Sequence, residues 1–323
     1  MDLVTHTLAG VAVGQACLRR RYGPEAVTVL AWASVLPNID SAPLLTGAPA
    51  AVLFRRTFGH SLLLMPLWVL ALALFFKWRY RERGLWGFLG LSTLGVGLHL
   101  FLDLFDSYGT FLLWPVSSFR PALDVLFGID VFLLAVLLAP FLLAVAPSLR
   151  PRLQTLCRAS LACAAVYVLF AWSQHGRASA LLAERTESLR PSFSRVLPEP
   201  LGPLRWQGIA RSFSEYERYD IRSLAGRTGE PDIIATQEDA PAAFLARNTG
   251  MGLRLDAFYA APIWNVRIYP DGSALASVYD LKSISLTLGP KRLLPFRFLV
   301  SKEGNIETLG WLGRPDRSSG ARE

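Results

Sequence analysis

The chain has 323 residues, 52% of them hydrophobic, with a positive mean hydropathy, which excludes one ordinary soluble domain with its lower and more even apolar content. Its formal charge of +8 would suggest a nucleic-acid partner if Lys and Arg formed a stripe. They cluster instead in loops beside apolar runs, the signature of membrane topology, so no nucleic acid is expected.

Measured against the about 20 residues that a membrane-crossing helix needs, the apolar runs predict a membrane α-helical bundle of about six hydrophobic segments. The first two, 3–18 and 26–36, are short and read as a tight hairpin. The next four, 61–76, 85–105, 129–146 and 156–172, read as full spans. Ala9, Gly10, Ala12, Gly14 and Ala16 let helix backbones approach closely, as membrane interfaces prefer. The first run lacks a basic leader and contains His6, so it is expected to stay in the mature protein. Cys17, Cys157 and Cys163 lie in or beside apolar segments and imply no disulfide framework.

Basic residues set the orientation. Arg19–Arg21, then Lys77, Arg79, Arg81 and Arg83, then Arg150, Arg152 and Arg158 mark three cytoplasmic loops, while the alternate loops carry only Arg55, Arg56 and Arg120. This threading brings His6, Asp40, His60, Asp103 and the whole tail to or near the outer face of the membrane.

Past Trp172 the sequence turns polar. Residues 177–190 suit a helix, and 191–203 read as a proline-punctuated linker. The stretch Ile263–Tyr269, broken at Pro270-Asp271-Gly272 and resumed over 274–281, is the strongest hairpin signal. Further strands are predicted at 206–213, 216–222, 253–259 and 294–300, with a helix over 240–248. The domain plan is therefore a membrane helical domain over 1–175, a polar helix and linker over 176–205, and a small soluble β-rich (α+β) domain over 206–323.

Chemistry concentrates where ionisable groups interrupt apolar runs. His99 and Asp103 lie four residues apart and share one helix face. Charged or ionisable groups at membrane depth are expensive and point to function, although a His-Asp hydrogen bond locking two helices explains the pair equally well. Of four histidines, His6, His60 and His99 all sit in or at the edge of apolar segments, and Asp40 stands in a similar border position. Imidazoles with carboxylates suit zinc, with manganese or iron possible where oxygen ligands dominate. Bland readings fit the rest: Asp106 and Ser107 line a site mouth or cap a helix, Asp124 and Asp130 are loop or cap residues, Trp114 and Trp172 form an aromatic belt, and His175 is solvated or interfacial. Phosphate loops, serine nucleophile elbows, paired zinc cysteines and internal repeats are absent from the sequence.

Thr5-His6, Leu36-Pro37-Asn38-Ile39-Asp40, Arg55-Arg56-Thr57-Phe58-Gly59-His60-Ser61 and His99-Leu100-Phe101-Leu102-Asp103, followed by Tyr108-Gly109 and Leu112-Leu113-Trp114-Pro115, together resemble the YdjM family of membrane-bound metal-dependent hydrolases. Trp206-Gln207-Gly208 and Trp264-Asn265-Val266-Arg267 resemble its extended members, which carry a C-terminal domain. The family is distantly similar to bacterial zinc phospholipase C and the zinc single-strand nucleases. That resemblance implies a principal metal site of Asp40, His60, His99 and Asp103, with His6 reaching a second metal bridged by Asp103. No further His and His-x-x-x-Glu follow, so a three-metal cluster is not expected. Asn38, Arg55 and Gly59 depart from the usual Asp, His and Thr and alter the support around the ligands.

The expected chemistry is hydrolysis of a lipid or other phosphoester by a water activated on one or two divalent ions. Asp40 is the candidate for orienting or deprotonating that water, and Arg56 for holding a phosphate, with lipid-headgroup anchoring as the alternative for Arg55 and Arg56. The competing class is a non-catalytic membrane-anchored binding or scaffold protein with a structural metal or a purely hydrogen-bonded site.

Overall fold

The computed structural model describes residues 1–46, 53–289 and 295–311. A helical N-terminal region leads into antiparallel β structure. Helix α1 (Leu3–Val13) runs through a π-helical turn (Gly14–Leu18) into α2 (Arg19–Tyr22). Gly23 at φ 79° ends it, and α3 (Glu25–Ala33) returns alongside α1. A 3-10 segment, Leu36–Thr46, follows. Then come α4 (Met65–Arg79), α5 (Leu85–Leu104), α6 (Val131–Leu143) and α7 (Leu153–Thr186).

Of the six predicted segments, two belong to helices long and apolar enough to cross a membrane, Leu85–Leu104 and the continuous stretch Arg150–Leu189. The 15-residue α4 and 13-residue α6 fall below the about 20 residues of a straight crossing. Their outward faces are nonetheless apolar, with Leu67, Leu70 and Leu74 on α4 and Leu142 and Leu143 on α6 exposed. Water would not favour such faces; lipid would. Inside, α5 packs on α3 at Gly95, where an added Cβ would stand 2.3 Å from Ala33 Cβ. Around this contact Val29, Leu30, Leu72, Phe76 and Leu91 form one core, while Leu133, Leu137, Ala164 and Ala171 join α6 to α7 in another.

The tail folds as two antiparallel sheets. The first holds β1 (Phe193–Glu199), β2 (Gly202–Ser212), β3 (Glu215–Arg222) and β4 (Arg227–Thr228) in that order, with β5 (Asp232–Ala235) also on β3. After α8 (Pro241–Arg247) and α9 (Gly250–Phe258), the second runs as a meander of β6 (Pro262–Ile268), β7 (Ala274–Asp280), β8 (Phe296–Val300) and β9 (Ile306–Gly310). The predicted hairpin is β6–β7, with Trp264 opposite Val278.

Two expectations for the tail need correction. The supposed linker over 191–203 contains β1 and the start of β2; β1 is an edge strand, where a proline such as Pro198 costs no ladder hydrogen bond, and the register shifts just after it. The polar helix expected over 177–190 is present through Thr186, as the unbroken continuation of α7. The predicted strand over 253–259 is α9, started by Thr249, whose side chain accepts from Gly252 N. Its buried residues Gly252, Leu255 and Phe258 recur at helical spacing. Leu294, the first residue of the last predicted strand, and the chain beyond 311 lie outside the described residues.

Candidate metal centre

Four segments deliver the site. Asp2 starts α1 by accepting from Val4 N and Thr5 N, each at 3.0 Å, and sets the helix so that His6, one turn in, is fully buried. The 3-10 segment carries Asp40, the loop before α4 carries Arg56 and His60, and the last turns of α5 carry His99 and Asp103. The loop is pinned to the chain beyond α5: Phe111 N donates to Arg56 O at 3.1 Å, Leu62 N to Leu112 O at 2.8 Å and Ser61 Oγ to Trp114 O at 2.6 Å. The Tyr108-Gly109 and Leu112–Pro115 motifs thus serve as the wall that holds His60 in place. Gly59 lies so close to the 3-10 segment that an added Cβ would sit 2.1 Å from Pro37 O. A larger residue here, such as the Thr that the resemblance led one to expect, would collide with that carbonyl.

Asp103 is the hub. Its Oδ1 faces His6 Nε2 at 3.0 Å and Arg56 Nη2 at 3.2 Å, and also meets the Met1 amino group. Its Oδ2 faces His60 Nε2 at 3.1 Å and His99 Nε2 at 3.5 Å. The two Nε2 atoms of His60 and His99 are 3.0 Å apart, and the His6 and His99 rings stack with centroids at 3.7 Å. The outer nitrogens are committed elsewhere: His99 Nδ1 to Ser34 O and His60 Nδ1 to Asp40 Oδ2, both at 2.7 Å. A neutral ring that donates from Nδ1 presents a lone pair at Nε2. Two lone pairs and a carboxylate oxygen then converge, an arrangement that requires a proton or a metal cation among them. Ligand atoms of His6, His99 and Asp103 lie within 4.8 Å of one another, close enough to hold one ion. Among the side chains of His6, Asp40, His60, His99 and Asp103, two buried atoms have no hydrogen-bond partner among the described residues, His6 Nδ1 and Asp40 Oδ1.

The structure thus brings together His6, His60, His99 and Asp103, and puts Asp40 behind the His60 ring, on the nitrogen that faces away from Asp103. Arg56 differs from expectation. Its side chain is 5% exposed and turned inward, giving Nη1 to Asp106 Oδ1 at 2.7 Å and Nη2 to Asp106 Oδ2 at 2.5 Å. Its fork is already occupied, so neither phosphate holding nor headgroup anchoring describes this conformation. Burial opposes charge on Arg56, but Asp106 and Asp103 outweigh it and raise its pKa. Burial likewise would raise the Asp106 pKa; Arg56 outweighs it and holds the carboxyl well below the usual range.

Other polar residues resolve locally. Asp130 caps α6 through Phe132 N and Leu133 N and takes the Tyr167 hydroxyl at 2.9 Å. Asp124, expected in a loop or cap, forms a two-pronged pair with Arg195 of β1 at 2.6 and 2.8 Å. His175, expected to be solvated or interfacial, is half-buried, with its ring against Trp206 and Nε2 3.3 Å from Val196 O. Sequence reasoning gave Asp106 no central part, and it passed over Lys282 and the Ser34 carbonyl. Asp106 stands three residues after Asp103, a spacing that signals a shared face; a backbone carbonyl and a lone lysine in a polar tail give no signal at all.

Apolar-faced helices enclosing a buried His-Asp cluster, followed by an antiparallel β domain, define a membrane protein with a candidate cation site. The chain belongs to the YdjM inner membrane protein family, whose model matches residues 1–178. No curated protein and no solved structure matches the chain.

Proposed function

We propose that the protein is an integral membrane, metal-dependent hydrolase that cleaves a phosphoester, on a lipid or related substrate, at the outer face of the inner membrane. The observation that carries this reading is the convergence of His60 Nε2, His99 Nε2 and Asp103 Oδ2 while both outer ring nitrogens are committed. In this reading the chain crosses the bilayer several times, with its Arg-rich loops in the cytoplasm and the β domain outside, as the charge bias supports.

His6, His60, His99 and Asp103 would hold one or two divalent ions, zinc before manganese or iron, because imidazole dominates the donor set. Bound there, the ion supplies Lewis acidity toward a phosphoryl oxygen and makes water more acidic. The chain does the rest. Asp40 and the Ser34 carbonyl fix the tautomer and tilt of His60 and His99, as supporting partners of metal histidines do. Asp103 offers its two oxygens to different histidines. Arg56 keeps Asp103 and Asp106 ionised in a site with little water.

One observation favours the second reading, a binding or scaffold protein with a structural site: His6, Asp40, His60, His99 and Asp103 are each 0% exposed, and structural metal sites are closed. The experiment is elemental analysis of the full chain purified in detergent, wild type beside His99→Ala, with phosphoester hydrolysis assayed on the same samples. Zinc or manganese in the wild type, lost from the variant together with hydrolysis, is the expected result. Metal without hydrolysis favours the scaffold. A wild type that stays metal-free after reloading rejects the metal site.

A further inference from the structure

Between the helical region and the β domain lies a cavity of about 740 Å³, a size typical of ligand sites. Arg56 and Asp106 line it from the helical side, so its floor is one side chain away from Asp103. Its rim is apolar: Phe127, Ile129 and Leu288 line it, and Ile129 and Leu288 are 55% and 64% exposed. Ile129 lies next to Asp130, the cap of the apolar helix α6, which brings the mouth next to the lipid-facing surface.

Four cationic groups line this cavity, and two of them, Arg56 and the Met1 amino group, pair with Asp106 and Asp103. Of its carboxylates, Asp106 is committed to Arg56, Asp2 caps α1, and Glu199 accepts from Ser285 Oγ at 2.7 Å and from Leu286 N and Thr287 N at 3.0 Å. Two cations remain, Arg55 and Lys282, both over the Tyr108 ring at 4.7 and 4.3 Å from its centroid. Among the described residues no carboxylate forms an ion pair with Arg55. Lys282 Nζ donates to Ser107 O at 3.0 Å and stands 3.9 Å from Asp280 Oδ2, beyond hydrogen-bond reach. Its side chain is 9% exposed, so an ammonium with donors to spare sits in a low-dielectric place. Burial lowers its pKa to about 8 and outweighs Asp280, whose carboxylate is also bound by Ala260 N and Ala261 N.

We propose that this cavity binds the phosphate-type anionic head of a lipid, clasped by Arg55 and Lys282 over Tyr108, with Ile129 and Leu288 receiving the start of the acyl chains. The assignment deepens the hydrolase reading by naming its substrate class, and rests on that reading only for what happens after binding. Lys282 lies outside the residues matched by the family, 1–178. The β domain therefore has a task of its own: it completes the pocket and selects the head.

The test uses the full chain in detergent after chelator treatment, so that a metal centre contributes nothing and failure of the hydrolase reading cannot mimic failure of this one. Binding of short-chain phosphatidate is measured against diacylglycerol with the same chains and against inorganic phosphate, for wild type, Arg55→Gln and Lys282→Gln. Phosphatidate is expected to bind best, and each variant to weaken it about tenfold, the value of one charge-assisted hydrogen bond, with diacylglycerol binding unchanged. Arg55, part-exposed and without an ion pair, serves as the variant that spares the fold if Lys282→Gln unfolds. Equal phosphatidate binding by Arg55→Gln and wild type overturns the assignment. Phosphate binding as tight as phosphatidate overturns its lipid part.

Discussion

At the scale of single residues, the candidate site was legible wherever an ionisable side chain interrupted an apolar run. His6, Asp40, His60, His99 and Asp103 stood out for that reason, and all five lie in or directly against the cluster. What the sequence concealed was who faces whom. Arg56 has no feature that distinguishes a phosphate ligand from a partner for Asp106, because the distinction arises only when the loop closes over α5. Asp40 likewise carries the same letter whether it meets a cation or stands behind His60. The observed contact makes it a positioning residue, and Asp40→Asn tests this. The variant keeps the shape but loses the charge that orients His60, so zinc affinity measured by competition with a chelating dye should fall about 10 to 100-fold while the circular dichroism spectrum stays unchanged. Unaltered zinc affinity would separate Asp40 from the site.

At the scale of elements, long apolar helices were the easiest to read: α5 begins at the predicted residue and ends one short of the predicted end. The errors came from residues whose local meaning depends on their neighbours. Pro198 marks a loop in isolation but is tolerated on the edge strand β1, and Leu253 and Leu255 alternate like a strand although Thr249 starts a helix there. The packing of α5 on α3 has a direct consequence for the cluster, because α3 ends at Ser34, whose carbonyl orients His99. Gly95→Val should force the helices apart at a cost of about 1–3 kcal/mol, lowering the thermal midpoint and releasing metal. Gly97→Ala is the control on the same helix, since a Cβ at Gly97 meets nothing within 4 Å. Equal midpoints for the two variants would mean that the α3–α5 approach does not limit stability.

At the scale of the whole molecule, the order of a helical part and a β part was legible in the sequence but their joint was not, because the joint is made of side chains far apart in the chain. Arg195 reaches from β1 to Asp124, and Lys282 from the end of β7 to Ser107. The second contact has a pH signature. Lys282 is faced by Asp280, Arg120, Arg195, Asp106 and Tyr108. Its folded pKa of about 8 lies below the ordinary 10.5, so between these values the unfolded chain binds more protons and stability rises with pH. Below about pH 8 both states are protonated and the burial penalty is fully present. Thermal midpoints should therefore climb from pH 8 toward 10.5 in the wild type and much less in Lys282→Met, while phosphatidate affinity falls over the same range as the ammonium is lost. Parallel slopes for the two proteins would assign the titration to another group.

The contact of Gly59 with the Pro37 carbonyl reaches further than its one missing side chain. With main chain resting directly on main chain, the loop that bears His60 and the turn that bears Asp40 have no compressible layer between them. They behave as one stiff bracket: a push on either is passed to the other as translation, and the spacing of Asp40 from His60 is set by the backbone instead of by rotamers that can relax.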